Sequence, residues 1–527
     1  MRIRTNTASS TKTSMASAVT PVAVIELGTS SIRMVIAQLR NRNRFEVLDS
    51  LQMAVAVGKD TFTQNRIEPD TTEECVRVLR LFGQKLQEYN IVKSDQITAV
   101  ATSAVREAAN RETFLDRILV ATGFSIRAID QAEVNRYIYQ AVRPSLISED
   151  FWKKEDVLVI EVGGGSTEAL LFRRGRVSNS HLYRLGSLRL HQTIEQLRAP
   201  GVRAVEIMRI QVRQTVEQIL ESIAPVKKLR LVALGGDARF ACTRLKAKWN
   251  TKGLARLPKE LLSRFTEKVL MKSTDELVRR HQITYPDAET LGPALLIYDY
   301  LAAELGLQEL LVGEANVRNG ILVEMASGGS RTSDFKKQII HSAQALGRRY
   351  AVDAAHARYV AEISGRIFQL MQPAHRLSSR DELILHVSAL LHETGVYVNR
   401  SSHHKHSFYI ILNSGLFGLG SEELLIAALT ARYHRRALPQ TDHEYYGTLP
   451  MEMRIKVLKL ASILRIADAL DMQHTQKLSD PLFSLENGNL IITAVGAGNL
   501  DLEQHRLKEK SNLFTQVYGL GIQLQGS

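Results

Sequence analysis

Val157-Leu158-Val159-Ile160-Glu161-Val162-Gly163-Gly164-Gly165-Ser166-Thr167-Glu168 runs an apolar strand into an acidic residue and a glycine-hydroxyl turn, and a second apolar run, Ala169-Leu170-Leu171-Phe172, follows at once. Such a turn does two jobs in one place. Small residues let backbone N–H groups wrap phosphate oxygens, while a neighbouring carboxylate can hold a divalent cation that neutralises them. The same design stands earlier in the chain, where Val22-Ala23-Val24-Ile25 leads through Glu26 and Leu27 into Gly28-Thr29-Ser30-Ser31 and then Met34-Val35-Ile36-Ala37. One copy alone reads more readily as a hairpin whose glycine serves turn geometry. Two copies point to an internal duplication, and with a third glycine turn at Gly235-Gly236-Asp237 after the strand Leu231-Val232-Ala233-Leu234 they favour phosphate handling over turn geometry. Two like halves, each with a mixed sheet, place a ligand in the cleft between them. No Gly-Lys-Ser/Thr ending occurs at these turns, which argues against a P-loop enzyme.

Outward from these turns, the 527 residues exceed what one hydrophobic core organises, so several domains are expected. With 44% apolar and 23% charged residues the composition is that of a globular protein. No run approaches the roughly 18 uninterrupted apolar residues of a membrane span, and no apolar leader opens the chain, so a cytoplasmic, non-membrane protein is expected. The net charge of +13 favours anionic partners, and its spread along the chain does not favour nucleic acid over a phosphorylated ligand. Cys75 and Cys242 stand alone, which predicts reduced, buried thiols and neither a disulfide framework nor a thiolate zinc site.

Residues 1–20, rich in Ser, Thr and Ala, are expected to be a disordered tail. Beyond it the patterns divide the chain into 21–143, a first half with an amphipathic stretch Thr71–Tyr89 and a strand Ile97–Val100, and 144–326, a second half. Helical periodicity fills 327–478, with Asp353, Ser378 and Ser421 in N-cap positions. The last segment, 479–527, alternates around Asn487-Gly488 and Gly496-Ala497-Gly498, suggesting a small lobe with strands.

Four segments then resemble the exopolyphosphatase/guanosine pentaphosphate phosphatase family in order and spacing. They are Gly163–Glu168, Ala101-Thr102-Ser103-Ala104-Val105-Arg106-Glu107-Ala108-Ala109-Asn110, Leu185-Gly186-Ser187-Leu188-Arg189-Leu190 and Val317-Arg318-Asn319-Gly320-Ile321-Leu322. Farther on, His403-His404-Lys405-His406-Ser407, Asn413-Ser414 and Arg432-Tyr433-His434-Arg435-Arg436 are similar to that family's helical module. The resemblance implies an α/β fold: a duplicated actin-like, ribonuclease H-like ATPase core, then an all-helical HD-like domain and a small C-terminal α+β lobe, assembled as a homodimer. It also implies a hydrolase, dependent on Mg²⁺ or Mn²⁺, that releases terminal phosphate from inorganic polyphosphate or pppGpp. Phosphate contacts would then come from Gly28, Thr29, Ser30, Ser31, Thr102, Ser103, Arg106, Gly163, Gly164, Gly165, Ser166, Thr167, Gly235 and Gly236, and the metal from Glu26, Glu161 and Glu168. Glu26 and Glu161 stand where the family usually has Asp, which moves the charge by about one methylene.

The sequence departs from the family at one decisive place. The family's Ser-Gly-x-Glu-Glu-Ala-Arg segment supplies, at its second Glu, the residue held to activate water; here the matching stretch reads Ile129-Asp130-Gln131-Ala132-Glu133-Val134-Asn135-Arg136. Anchored on Arg136, Glu133 takes the first Glu position and Val134 the second, and a valine can neither accept a proton nor bind metal. Glu133 is the remaining catalytic candidate, but Asp130-x-x-Glu133 has capping-box form, and one position along a helix turns a side chain by about 100°. The expected activity is therefore a weakened hydrolase, with a binding-only sensor of the same ligands as the alternative. A further alternative lies in the helical module: His356, the pair His392-Glu393 and Asp468 follow the order of an HD-type phosphohydrolase site, with Glu393 in place of the defining Asp and His403, His404, His406 and His434 as added candidate ligands.

Overall fold

The computed structural model describes residues 21–40, 44–198, 201–223, 228–251, 253–327, 333–435, 437–494 and 499–526. The tail expected over residues 1–20, Arg436 and the turn Gly496-Ala497-Gly498 lie outside the described residues.

The first half builds a five-stranded sheet from β1 (Pro21–Leu27), β2 (Ser31–Arg40), β3 (Arg44–Ala54), β4 (Ile97–Ala101) and β5 (Ile126–Ala128), in the order β3-β2-β1-β4-β5. Consecutive apolar residues in β1, β2 and β4 reflect sheet faces that are both covered, as parallel packing against helices requires. The second half repeats the plan with β6 (Asp156–Val162), β7 (Thr167–Arg173), β8 (Arg176–Tyr183), β9 (Leu229–Leu234), β10 (Leu254–Pro258) and β11 (Glu309–Gly313), ordered β10-β11-β9-β6-β7-β8. In each half the first strand pairs antiparallel with the next and parallel with the strand that returns from a helix. The duplication is therefore topological, with β10 as an added antiparallel edge.

The helix Pro69–Glu88 covers the first sheet, starting with Pro at its first position where a missing N–H costs nothing. Cys75 and Cys242 are buried among apolar neighbours, and burial pushes each thiol up to about 12. The boundary expected at residue 143 falls inside the helix Gln131–Ile147. The helix Val317–Ala326 crosses back from the second half onto that helix, so closely that a Cβ on Gly320 would lie 2.1 Å from the Tyr137 carbonyl oxygen.

From residue 333 the described chain is helical through Met451–Ala469, with Ser333–Arg349 lying against β8. Asp353 and Ser378 cap their helices, accepting from the His356 and Asp381 amides respectively. Ser421 is the first residue of its helix and not the cap; Gly420 holds that place, and its N–H donates to Glu423 instead. The terminal lobe pairs β12 (Leu482–Glu486) with β13 (Asn489–Ala494) through Asn487-Gly488, both at positive φ as a tight hairpin demands, and adds β14 (Gly521–Gly526) in parallel. Among the described residues no helix is long and apolar enough to cross a membrane.

Candidate functional site

The two glycine-hydroxyl turns meet at the junction of the halves. One hydrogen bond closes each in the same way, Gly28 N–H to the Ser31 carbonyl at 3.0 Å and Gly163 N–H to the Ser166 carbonyl at 2.9 Å. Behind the second turn, the Leu185–Leu190 segment satisfies its carbonyls: Ser187 N–H donates to Gly163 O, and Arg189 donates from its backbone to Gly164 O and from Nε to Gly165 O. The turns also touch each other. A Cβ on Gly164 would stand 2.1 Å from Thr29 Oγ1, so only glycine allows this approach. At the end of β9, Gly235 has φ +116°, which non-glycine residues rarely adopt.

Between the halves lies a cleft of 360 Å³. It gathers Gly28, Thr29, Ser30, Thr102, Ser103, Arg106, Gly163, Gly164, Ser166, Gly235 and Gly236, together with Glu26, Glu161 and Glu168. Three of the residues expected in it do not line it. Ser31 is buried within β2, Thr167 donates to the Leu185 carbonyl, and Gly165 packs so that a Cβ would strike Ser103 and Phe62. The cleft also includes Arg33, Ser187, Asp237, Arg239, Asp287 and Arg318, which received no role from the sequence. Arg318 and Ser187 belong to the segments that carry the family resemblance, so position in those motifs was the available signal.

Charge in the cleft is uneven. Glu161 and Glu168 are direct cross-strand partners on β6 and β7, and like charges so placed repel. Burial, then Glu168 and Glu26, push the Glu161 carboxyl up to about 8, and among the described residues its Oε2 has no hydrogen-bond partner. Burial also raises Glu168, against the Ser166 hydroxyl at 2.6 Å and the nearby Arg106. Glu26, by contrast, is taken by the Arg318 guanidinium. Asp237 is pushed up to about 6 by burial and Asp287. The orphaned oxygen and the opposed oxygen-only donors of Glu161 and Glu168 fit a hard divalent cation.

The raised Glu161 carries a pH signature. A carboxyl that holds its proton more tightly when folded stabilises the fold below its ordinary value of 4.5, and that stability is lost as pH rises toward about 8. Chelator-treated Glu161→Gln is therefore expected to melt at least about 2 °C above wild type at pH 8 and level with it at pH 4. Parallel melting curves at both pH values decide this, and identical differences at both would show that Glu161 does not titrate.

Position 134 is the decisive wall of the cleft. Val134 lines it, 5% exposed. Glu133 faces elsewhere: its N–H donates to Asp130 Oδ1 at 2.9 Å, its carboxylate accepts from Asp130 N–H at 3.3 Å, and Arg127 grips it at 2.6 Å. The capping box and the ion pair thus hold the catalytic candidate Glu133 outside the cleft. Arg106 reaches from its helix to donate to the Ile129 carbonyl at 2.9 Å, tying the cleft to the start of the same helix.

In the helical module His356, His392 and Asp468 come together in full burial. Glu393 is not in their triangle; its carboxylate faces His474 at 3.6 Å. His403 and His434 pair beside them, Nε2 to Nε2 at 3.1 Å, on the wall of a separate 410 Å³ pocket. His404 and His406 are in neither group.

Two family models match the chain. The Ppx/GppA phosphatase family model covers residues 35–328, and that of Ppx/GppA phosphatase domain III covers 340–513. A guanosine-5'-triphosphate,3'-diphosphate pyrophosphatase of Aeromonas hydrophila is 26% identical over 92% of this chain and 95% of its own. One from Photobacterium profundum is 22% identical over 84% and 86%. Among solved structures, an exopolyphosphatase from Cytophaga hutchinsonii superposes with a TM-score of 0.51 at 18% identity, covering 58% of this chain and 98% of its own, which shows a shared fold over that part.

Proposed function

Because this chain belongs to the Ppx/GppA phosphatase family, we propose that its cleft binds the terminal phosphates of inorganic polyphosphate or of a guanosine polyphosphate such as pppGpp and hydrolyses their phosphoanhydride bond slowly. The observation that carries this reading is the pairing of a cleft furnished for phosphate with an apolar side chain, Val134, on its wall. The turn residues Thr29, Ser30, Gly164 and Ser166 offer N–H and hydroxyl donors, and Arg106 and Arg239 offer guanidinium groups suited to phosphate oxygens. Arg239, largely buried, has an Nη1 without a partner among the described residues, a donor open to an anion. Glu161 and Glu168 would hold Mg²⁺ or Mn²⁺, which when bound would offset phosphate charge and polarise the bond to be broken. What the cleft lacks at position 134 is a carboxylate to take the proton from an attacking water.

A second reading, a sensor that binds these ligands without turnover, is favoured by the bridge from cleft to helical module. Asp130 caps the helix that carries Val134 through Oδ1, while its Oδ2 accepts from the Ser421 amide at 3.4 Å. Phosphate release from long-chain polyphosphate and from pppGpp with Mg²⁺, beside binding of each over rising salt, tests both readings. Binding that weakens steadily with salt is expected, because the contacts are electrostatic, with slow release. Absence of binding to either ligand would remove both readings, and affinity independent of salt would point to an uncharged ligand.

A further inference from the structure

The helical module holds a cluster that the cleft chemistry does not use. His356 Nε2 and His392 Nε2 lie 3.3 Å apart, and Asp468 Oδ1 stands 3.6 Å from the first and 3.5 Å from the second. Each imidazole has its other nitrogen fixed. His392 Nδ1 is 2.7 Å from the Ala389 carbonyl oxygen, which can only accept, and His356 Nδ1 is 2.9 Å from the Asp471 carboxylate. Both Nδ1 atoms are thereby made N–H donors, so in the neutral rings both Nε2 atoms aim lone pairs at one point. Two lone pairs and a carboxylate oxygen facing one another in full burial repel unless a cation sits among them. Fixing an imidazole through its far N–H by a carbonyl or carboxylate is how proteins orient metal-ligating histidines. His403 and His434 repeat the arrangement, with Nδ1 on the carbonyls of Arg400 and Ala431.

The spacing selects the ion. Metal–ligand bonds of about 2.0–2.1 Å put the corners of a tetrahedron about 3.3–3.4 Å apart. The observed triangle of 3.3, 3.5 and 3.6 Å matches one face of it, with no rearrangement beyond a few tenths of an ångström. Two imidazoles and a carboxylate suit zinc or a neighbouring first-row dication, whereas Mg²⁺ prefers six oxygens. We propose that His356, His392 and Asp468 form a tetrahedral site for a divalent transition metal, zinc foremost. The fourth position is free for a water or an oxygen of a ligand, and Asp468 also lines the neighbouring 410 Å³ pocket, whose wall carries Arg435, Arg506 and Lys510. The competing occupant is a proton. Burial works against it at His356, but Asp468 and Asp471 draw that imidazole up to about 9, and Lys510 already donates to Asp468 Oδ2.

Metal analysis of the full chain, purified without chelator or metal-affinity resin, separates the two occupants. About one equivalent of zinc or another first-row dication per chain is expected. His392→Ala and Asp468→Asn should each lower it at least about tenfold, the lower end of the roughly 10–100-fold cost of losing a ligand or its support, while Glu161→Gln in the cleft leaves it unchanged. Should either variant misfold, stripped wild-type protein titrated with Co²⁺ gives an independent readout, the strong visible absorption of a tetrahedral ion, abolished by added zinc. Wild-type protein that is isolated metal-free and takes up neither Zn²⁺ nor Co²⁺ would overturn the site and leave the cluster to its proton. A metal content that follows Glu161→Gln but not Asp468→Asn would overturn it as well.

Discussion

Val134→Glu is expected to raise phosphate release from polyphosphate or pppGpp at least about tenfold, the conservative side of the roughly 10²–10⁴ that a positioned general base supplies. Val134 already lines the cleft that Arg106 and Glu168 also line, so the added carboxylate needs no rotation of the helix to face it. The side chain it replaces is 5% exposed and belongs to the hydrophobic core, so some stability is lost and the melting temperature must be read with the rate. Single-turnover release at saturating ligand is the measurement, because it isolates the chemical step from affinity. A folded Val134→Glu protein that binds as wild type and turns over no faster would refute the assignment of this wall. The companion change, Glu133→Gln, is expected to cost about 0.5–2 kcal/mol of stability as cap losses do, and to leave turnover where it was. Its carboxylate is spent on the Asp130 amide and Arg127, so abolished turnover in a folded Glu133→Gln protein would transfer the role to it.

How much of this was legible in the sequence follows from how local each signal is. The hairpin turns, the Asp130–Glu133 capping box and the Asn487-Gly488 turn depend on residues within a few positions, and the fold realises them as read. The repeated strand order was legible only as a repeated motif; pairing of β9 with β6 across some seventy intervening residues is a matter of tertiary packing. Contacts between halves were not legible at all. Nothing near Glu26 in sequence says that Arg318 will pair with it, although Glu26 stays close enough to the Glu161–Glu168 pair to help raise Glu161. Likewise, His356, His392 and Asp468 were recognisable by order, while the side-chain tautomers that would let them hold the proposed metal depend on the Ala389 carbonyl and on Asp471. Ser421 shows the finer limit: a hydroxyl at a helix start reads as a cap, but Gly420 with Glu423 had already satisfied that end.

The contact between the two turns leads to the other large effect expected. Gly164 lets the second turn come against Thr29 of the first, and a Cβ there would fall 2.1 Å from Thr29 Oγ1 and 2.9 Å from its Cβ. Contacts below 3 Å with a β-carbon cannot be relieved by rotating a side chain, so Gly164→Val has to drive the halves apart by a fraction of an ångström or more. Ligand groups supplied from both halves then no longer converge on the same phosphate, and misplacement by about 1 Å can cost on the order of 100-fold. Gly164→Val is therefore expected to weaken polyphosphate and pppGpp binding by about that factor while the protein stays folded, measured by titration beside a melting curve. Thr29 is itself a donor to the cleft, so the control is Thr29→Gly, which removes the obstructing atoms. If steric separation is the cause, the double variant Thr29→Gly/Gly164→Val should bind within about threefold of Thr29→Gly alone, since the two changes then share one contact and are not additive. Equal losses that simply add would mean that Gly164 acts through its own backbone donors and not through the closure of the two halves.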